Sequence, residues 1–216
     1  MSVNLIKVNT IEEIKKNKVI AVIRADSPDI ALEFARGCVE GGIKVIEVTF
    51  SFPRVERVIT ELSKIEDIIV GAGTLLDTKM AEKAIDAGAG FLVSPHSDED
   101  ILELAKAHRL PTIQGALTSS EIVNAWKLGV DMVKIFPASS VGGPSYVKAI
   151  KDPLSFVEIF TTGGVNYDNF LDYIKAGASA VGLSSAFLAE DKKIRFNTVV
   201  ENTRKIVEKL SGNYKR

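Results

Sequence analysis

Two ionisable residues stand inside apolar, β-branched runs: Lys134 in Met132-Val133-Lys134-Ile135-Phe136-Pro137 and Glu47 in Val45-Ile46-Glu47-Val48-Thr49. The first run reads as a short buried strand that ends at Pro137. An ammonium in such a place is costly unless paired, and burial favours the neutral amine. A neutral lysine is a nucleophile toward carbonyl carbon, and a carboxylate beside it can carry protons. Strand alternation puts Val45, Glu47 and Thr49 on one face and Met132, Lys134 and Phe136 on one face. If those faces share an interior, nucleophile and acid/base share a confined space. Two plainer readings compete. The lysine can snorkel outward from a strand end, or the two can form a buried pair that fixes register, a poor source of net stability.

The elements that position these residues recur along the chain. Besides the two runs above, β-branched or apolar segments occur at Val19 to Ile23, Ile68 to Val70, Phe91 to Val93, Pro111 to Ile113, Phe156 to Phe160 and Ala180 to Leu183. That makes eight. Their starts lie roughly 20–26 residues apart, room for one helix and two loops each. Helical patterns fill the gaps, among them Pro28 to Val39, Val55 to Leu62, Asp98 to Ala107, Ser119 to Leu128 and Asn169 to Ala176. Asp26 or Ser27, Ser97 or Asp98, and Thr118 with Glu121 supply capping residues. Gly41-Gly42, Gly88, Gly129 and Gly177 punctuate the helix ends. Strand, capped helix, glycine, strand, eight times over, predicts a (β/α)8 TIM barrel. A short helix over Ile11 to Asn17 is expected to cap its bottom, and Lys192 to Arg216 to form the last helix and a frayed end. Residues 1–216 read as one barrel domain.

Composition narrows the function classes. Of 216 residues, 46% are hydrophobic and 25% charged, and 27 Lys+Arg against 28 Asp+Glu leave a net charge of −1. No basic excess points to nucleic acid or anionic lipid. No leader and no membrane span is expected, which makes a reducing cytoplasm the default. The single cysteine, Cys38, excludes an intrachain disulfide and reads as a small buried hydrophobe. With only two histidines, His96 and His108, a metal site is poorly supported.

In such barrels the active site lies at the C-terminal ends of the strands. There the sequence offers Arg24, Glu47 with Thr49, Gly71-Ala72-Gly73-Thr74, Ser94-Pro95-His96, Gln114, Lys134, Thr161-Thr162-Gly163-Gly164 and Ser184-Ser185. Gly163 and Gly164, ahead of a helix expected near Asn166, suit an anion, as do Ser184 and Ser185 after the eighth strand. Those two loops are the usual phosphate site of barrels.

Taken in order, Glu47-Val48-Thr49, Gly71-Ala72-Gly73-Thr74, Ser94-Pro95, Lys134-Ile135-Phe136-Pro137-Ala138 and Thr162-Gly163-Gly164-Val165 resemble the bacterial 2-keto-3-deoxy-6-phosphogluconate (KDPG) / 4-hydroxy-2-oxoglutarate (KHG) aldolases over nearly the whole chain. The resemblance implies a class I aldolase that needs no metal or other cofactor. It implies a homotrimer acting on a small 2-keto acid and a phosphorylated aldehyde, in the Entner–Doudoroff pathway or a related sugar-acid route. Lys134 would be the Schiff-base lysine and Glu47 the acid/base. Thr74 would bind the pyruvyl group, with Phe136 in the same pocket, and Gly163, Gly164, Ser184 and Ser185 would hold phosphate. The departures bear on substrate choice. Ser51 stands where many members carry a carboxylate-binding arginine, and Arg24 or, more weakly, Arg54 is a replacement. Gln114 replaces a proline and is a candidate for substrate hydroxyls or for solvent. Thr161 replaces a proline, and Leu183 replaces a glycine, which would narrow the phosphate pocket. The alternatives are a 2-dehydro-3-deoxy-6-phosphogalactonate aldolase, a phosphate-binding isomerase or epimerase, and a non-catalytic trimeric barrel scaffold.

Overall fold

The β-branched runs pair in the order in which they occur. In the computed structural model, which describes residues 3–214 and the side chains of 10–212, the strands are β1 (Val19–Ile23), β2 (Val45–Thr49), β3 (Ile69–Gly73), β4 (Leu92–Val93), β5 (Thr112–Gly115), β6 (Met132–Ile135), β7 (Ile159–Thr161) and β8 (Ala180–Leu183). Each pairs in parallel with its neighbours and β1 pairs with β8, which closes the barrel. The (β/α)8 expectation holds. The expected frayed end at 215–216 lies outside the described residues.

The helices are α1 (Val3–Asn17), α2 (Pro28–Glu40), α3 (Val55–Leu62), α4 (Thr78–Asp86), α5 (Glu99–His108), α6 (Ser119–Leu128), α7 (Pro144–Lys151), α8 (Phe170–Lys175) and α9 (Phe196–Tyr214). The starts of α2, α4, α5 and α6 are fixed by side chains that accept otherwise unsatisfied backbone N–H groups. Asp98 Oδ1 accepts from Ile101 N at 2.9 Å, and Thr118 with Glu121 forms a full capping box. Gly129 ends α6 at φ 97°, a conformation that costs glycine no Cβ clash.

Pleat sorts each strand into two cores. Ile20, Val45, Phe91, Ile113, Met132 and Phe160 point into the barrel and form one buried cluster. Ile14 of α1 joins that cluster at the base, so the leading helix does cap the barrel. Intervening residues such as Ile46, Val48, Val133 and Ile135 point out into the larger cluster under the helices. Glu47 and Lys134 therefore share the inward face of Val45 and Met132. Among the described residues no helix is long and apolar enough to cross a membrane.

Candidate active site

Lys134 is 5% exposed and Glu47 is 0% exposed, which excludes a lysine snorkelling into solvent. Lys134 Nζ lies 3.7 Å from Glu47 Oε1, an ion pair beyond hydrogen-bond length. Neither carboxylate oxygen of Glu47 has a hydrogen-bond partner among the described residues. A buried polar group left this way costs about 1–3 kcal/mol, more when charged. The ammonium also lies over two aromatic rings, 5.6 Å from the centroid of Phe136 and 5.8 Å from that of Phe160.

Register explains how a carboxylate fits there. Glu47 pairs with Gly71 and Thr49 with Gly73, so both glycines face inward beside β2. A Cβ on Gly73 would lie 1.9 Å from Glu47 Oε1, and one on Gly71 would lie 2.4 Å from the Phe91 ring. The bare backbone of β3 is the space into which Glu47 folds. Gly73 was not singled out as a site residue. Its signal is there in Gly71-Ala72-Gly73, two glycines at strand spacing, but it needs the β2–β3 register to be read.

The other expected residues divide. Phe136 is half-exposed at the mouth above Lys134. Thr74, directly after β3, holds φ 61°, a left-handed conformation that is strained for a β-branched residue. Arg24 follows β1 and is exposed. Ser51 is joined to the mouth by hydroxyl contact: its Oγ is 2.7 Å from Thr49 Oγ1, which donates to the Ile23 carbonyl at 2.9 Å. Arg54, exposed, sits in the left-handed region at the start of α3. Gly163 and Gly164 have φ 87° and 81°, and a Cβ on Gly164 would meet Ser139 Oγ at 2.0 Å. Their N–H groups have no protein acceptor among the described residues. Ser184 and Ser185 follow β8, Ser185 exposed.

Three expectations are corrected. Gln114 reaches neither substrate nor solvent. It pairs with outward-facing Val133, is 2% exposed, and is spent on backbone: Oε1 accepts from Asp98 N at 3.0 Å and Nε2 donates to Asp98 O at 2.9 Å. Inward-facing Gly115 stands beside Lys134 instead. Leu183 does not narrow the phosphate loops, because it packs outward in the cluster under the helices. No helix starts near Asn166. Asn166 Oδ1 accepts from the N–H groups of Asp168 and Asn169, Asn169 Oδ1 accepts from Asn166 N, and α8 starts only at Phe170. Asparagine side chains commonly divert backbone donors into such turns. At the mouth His96 contacts Ser94 Oγ through Nδ1 at 3.1 Å and Asp98 Oδ2 through Nε2 at 3.5 Å, while His108 is exposed on α5.

The sequence profile of the KDPG and KHG aldolases matches residues 10–204. The chain belongs to that family. A 2-dehydro-3-deoxy-phosphogluconate aldolase of Treponema pallidum is 32% identical over 164 residues, 76% of this chain and 78% of the relative. A KHG/KDPG aldolase of Escherichia coli is 34% identical over 157 residues, 72% and 74% of the two chains. The crystal structure of a KDPG aldolase from Legionella pneumophila, with pyruvate captured at low pH as a covalent carbinolamine, superposes with a TM-score of 0.80 at 29% identity, covering 88% of this chain and 93% of that one. Every inward residue described above, from Glu47 to Ser184, lies inside the stretch matched by the KDPG and KHG aldolase profile.

Proposed function

We propose that the protein is a class I aldolase that cleaves 2-dehydro-3-deoxy-6-phosphogluconate to pyruvate and glyceraldehyde 3-phosphate, with 4-hydroxy-2-oxoglutarate as a second substrate giving pyruvate and glyoxylate. One observation carries the chemistry: a buried lysine held 3.7 Å from a carboxylate that makes no hydrogen bond among the described residues. In this reading Lys134 Nζ adds to the C2 carbonyl, and the carbinolamine loses its oxygen as water to leave an iminium. Glu47 takes the C4 hydroxyl proton. The C3–C4 bond breaks, its electron pair passes into the iminium as an enamine, and the aldehyde departs. Protonation of C3 from Glu47 and hydrolysis then release pyruvate and free the amine.

Thr74 and Phe136 flank the pyruvyl group. Arg24, with Ser51 beside Thr49, is the cationic and hydroxyl side that meets the carboxylate. Gly163, Gly164, Ser184 and Ser185 meet the phosphate; the open N–H groups of the two glycines support this. The same reading makes the protein a single-domain cytoplasmic enzyme that assembles as a homotrimer. An apolar surface pair, Trp126 and Phe156 with ring centroids 6.2 Å apart, supports association, and sedimentation measures the copy number.

Borohydride added with pyruvate is expected to leave a stable three-carbon adduct on Lys134, seen by peptide mass spectrometry. Lys134→Met loses both adduct and turnover. No adduct, or full turnover in the variant, overturns the reading. Comparing kcat/KM for the gluconate, its C4 epimer and 4-hydroxy-2-oxoglutarate ranks the substrates.

A further inference from the structure

Among the described residues, Phe160 is the one large aromatic ring that is both fully buried inside the barrel and turned toward the amine. It is 0% exposed, pairs in register with Lys134, and has its ring 5.8 Å from Nζ. The neighbouring strand is cut away to admit it. A Cβ on Gly182 of β8 would lie 2.7 Å from Phe160 Cζ and 3.0 Å from Val22 Cγ2. Across the amine, Phe136 presents a second ring at 5.6 Å. The only anion within 4.0 Å of Nζ among the described residues is Glu47. The nitrogen therefore sits between one carboxylate and two aromatic rings.

We propose that Phe160 is a positioning residue for the covalent step, its ring holding the cationic nitrogen of Lys134 and stabilising the iminium that the nitrogen forms with a 2-keto acid. This rests on the aldolase reading above. When Nζ bonds to C2 and the C2 oxygen leaves as water, a positive charge persists at the nitrogen in a site that excludes solvent. A ring face attracts such a charge through its quadrupole, and attracts a neutral amine or carbinolamine much less. Glu47 also attracts the cation but must accept a proton from the C4 hydroxyl during cleavage, and its own charge is then lost. The electron pair of the broken bond neutralises the nitrogen in that same step, so the rings, constant through the cycle, favour the two iminium states on either side of the enamine. Gly182 is required because any larger inward residue on β8 would push the ring away.

The test separates ring electronics from ring shape. Replacing Phe160 by 3,5-difluorophenylalanine weakens the quadrupole at nearly constant volume; Phe160→Leu removes it. The readout is the fraction of chains carrying a borohydride-trapped pyruvate adduct at Lys134 across a pyruvate titration, with circular dichroism confirming the fold. The imine-formation constant should fall in the order Phe, difluorophenylalanine, Leu. The full drop should be between about twofold and about thirtyfold, the range of about 0.5–2 kcal/mol for a cation over a ring. A purely structural role predicts loss in Leu alone, and a constant unchanged by fluorination overturns the proposal. If Phe160→Leu fails to fold, the fluorinated variant still decides. No adduct in the parent enzyme refutes the aldolase reading itself, whereas a normal parent adduct with a flat series refutes only the role of Phe160.

Discussion

The barrel holds two lysine–glutamate pairs, one at each end, and the more buried pair is the less satisfied. At the base, Lys15 Nζ of α1 lies 2.8 Å from Glu158 Oε1, with side chains 29% and 30% exposed. Ser179 Oγ donates to Glu158 Oε2 and accepts from Ile159 N at 3.1 Å. At the mouth, the side chains of Lys134 and Glu47 are 7% and 1% exposed, 3.7 Å apart, and the Glu47 carboxylate has no hydrogen-bond partner among the described residues. A fold maximising stability would do the reverse, because a dry, unpartnered charge is the most expensive kind. The base pair ties the plugging helix to β7. The mouth pair stores its cost as reactivity: an amine and a carboxylate left free to bond with something that is not protein.

Breaking the mouth pair should affect turnover far more than folding. Glu47→Gln keeps the shape and removes the base, so kcat should fall by about 10²–10⁴-fold, the usual contribution of a positioned acid/base. The melting temperature should change little, because the unsatisfied carboxylate goes but the Lys134 ammonium loses its paired anion. A large loss of stability would show that Glu47 belongs with the base pair as a structural group.

A subtler break leaves both ionisable groups in place. In Gly73→Ala the new Cβ would lie 1.9 Å from Glu47 Oε1, 2.5 Å from Cδ and 2.6 Å from Cγ, all atoms of one side chain and none of backbone, so the Glu47 side chain is displaced while the barrel stays folded. Misplacement by about 1 Å costs on the order of 10²-fold in rate. Steady-state kinetics should show kcat falling toward that limit, with the Lys134 adduct still trapped. Unchanged kcat would mean that the position of Glu47 is not critical.

Gln114 belongs with the satisfied group although it lies near the mouth. Gln114→Met strands the N–H of Asp98, whose carbonyl keeps Leu102 N as a donor, at a cost of about 1–3 kcal/mol in denaturant unfolding. KM for the keto acid should not move. A raised KM at constant stability would return Gln114 to the substrate site.

The fold and the two central residues were legible because parallel strands buried on both faces carry their own signal. Eight β-branched runs mark eight strands, and Lys134 and Glu47 stand out by interrupting theirs. Gln114 was misread through parity. The apolar fifth run ends at Ile113, which by itself makes Gln114 a mouth residue, but β5 continues to Gly115. One residue of strand length reverses the face a side chain occupies. Gly73 and Phe160 were missed because their roles depend on cross-strand register, which one strand's sequence does not contain. The pairing of Lys15 with Glu158 spans most of the chain and leaves no local pattern.

The smallest expected effect lies in that base pair. Lys15→Met removes a partly solvated ion pair, so about 0.5–1 kcal/mol of stability should go, with kcat unchanged. The pH dependence identifies the cause. Burial works to raise Glu158, but hydrogen bonds from Lys15 and Ser179 outweigh it and leave the carboxyl lowered. Lys15 is raised above its ordinary 10.5, mainly by its hydrogen bond to Glu158. A lowered carboxyl stabilises the fold fully above its unfolded value and loses that contribution as pH falls through its folded value. A raised lysine contributes fully below its unfolded value and loses the effect as pH rises through its folded one. The gap in stability between parent and Lys15→Met should therefore be widest near neutral pH. It should close in acid as Glu158 protonates and in strong alkali as Lys15 deprotonates. A gap constant across that range would assign the loss to side-chain packing of α1 rather than to charge, and the contrast between the two pairs would then be one of burial alone.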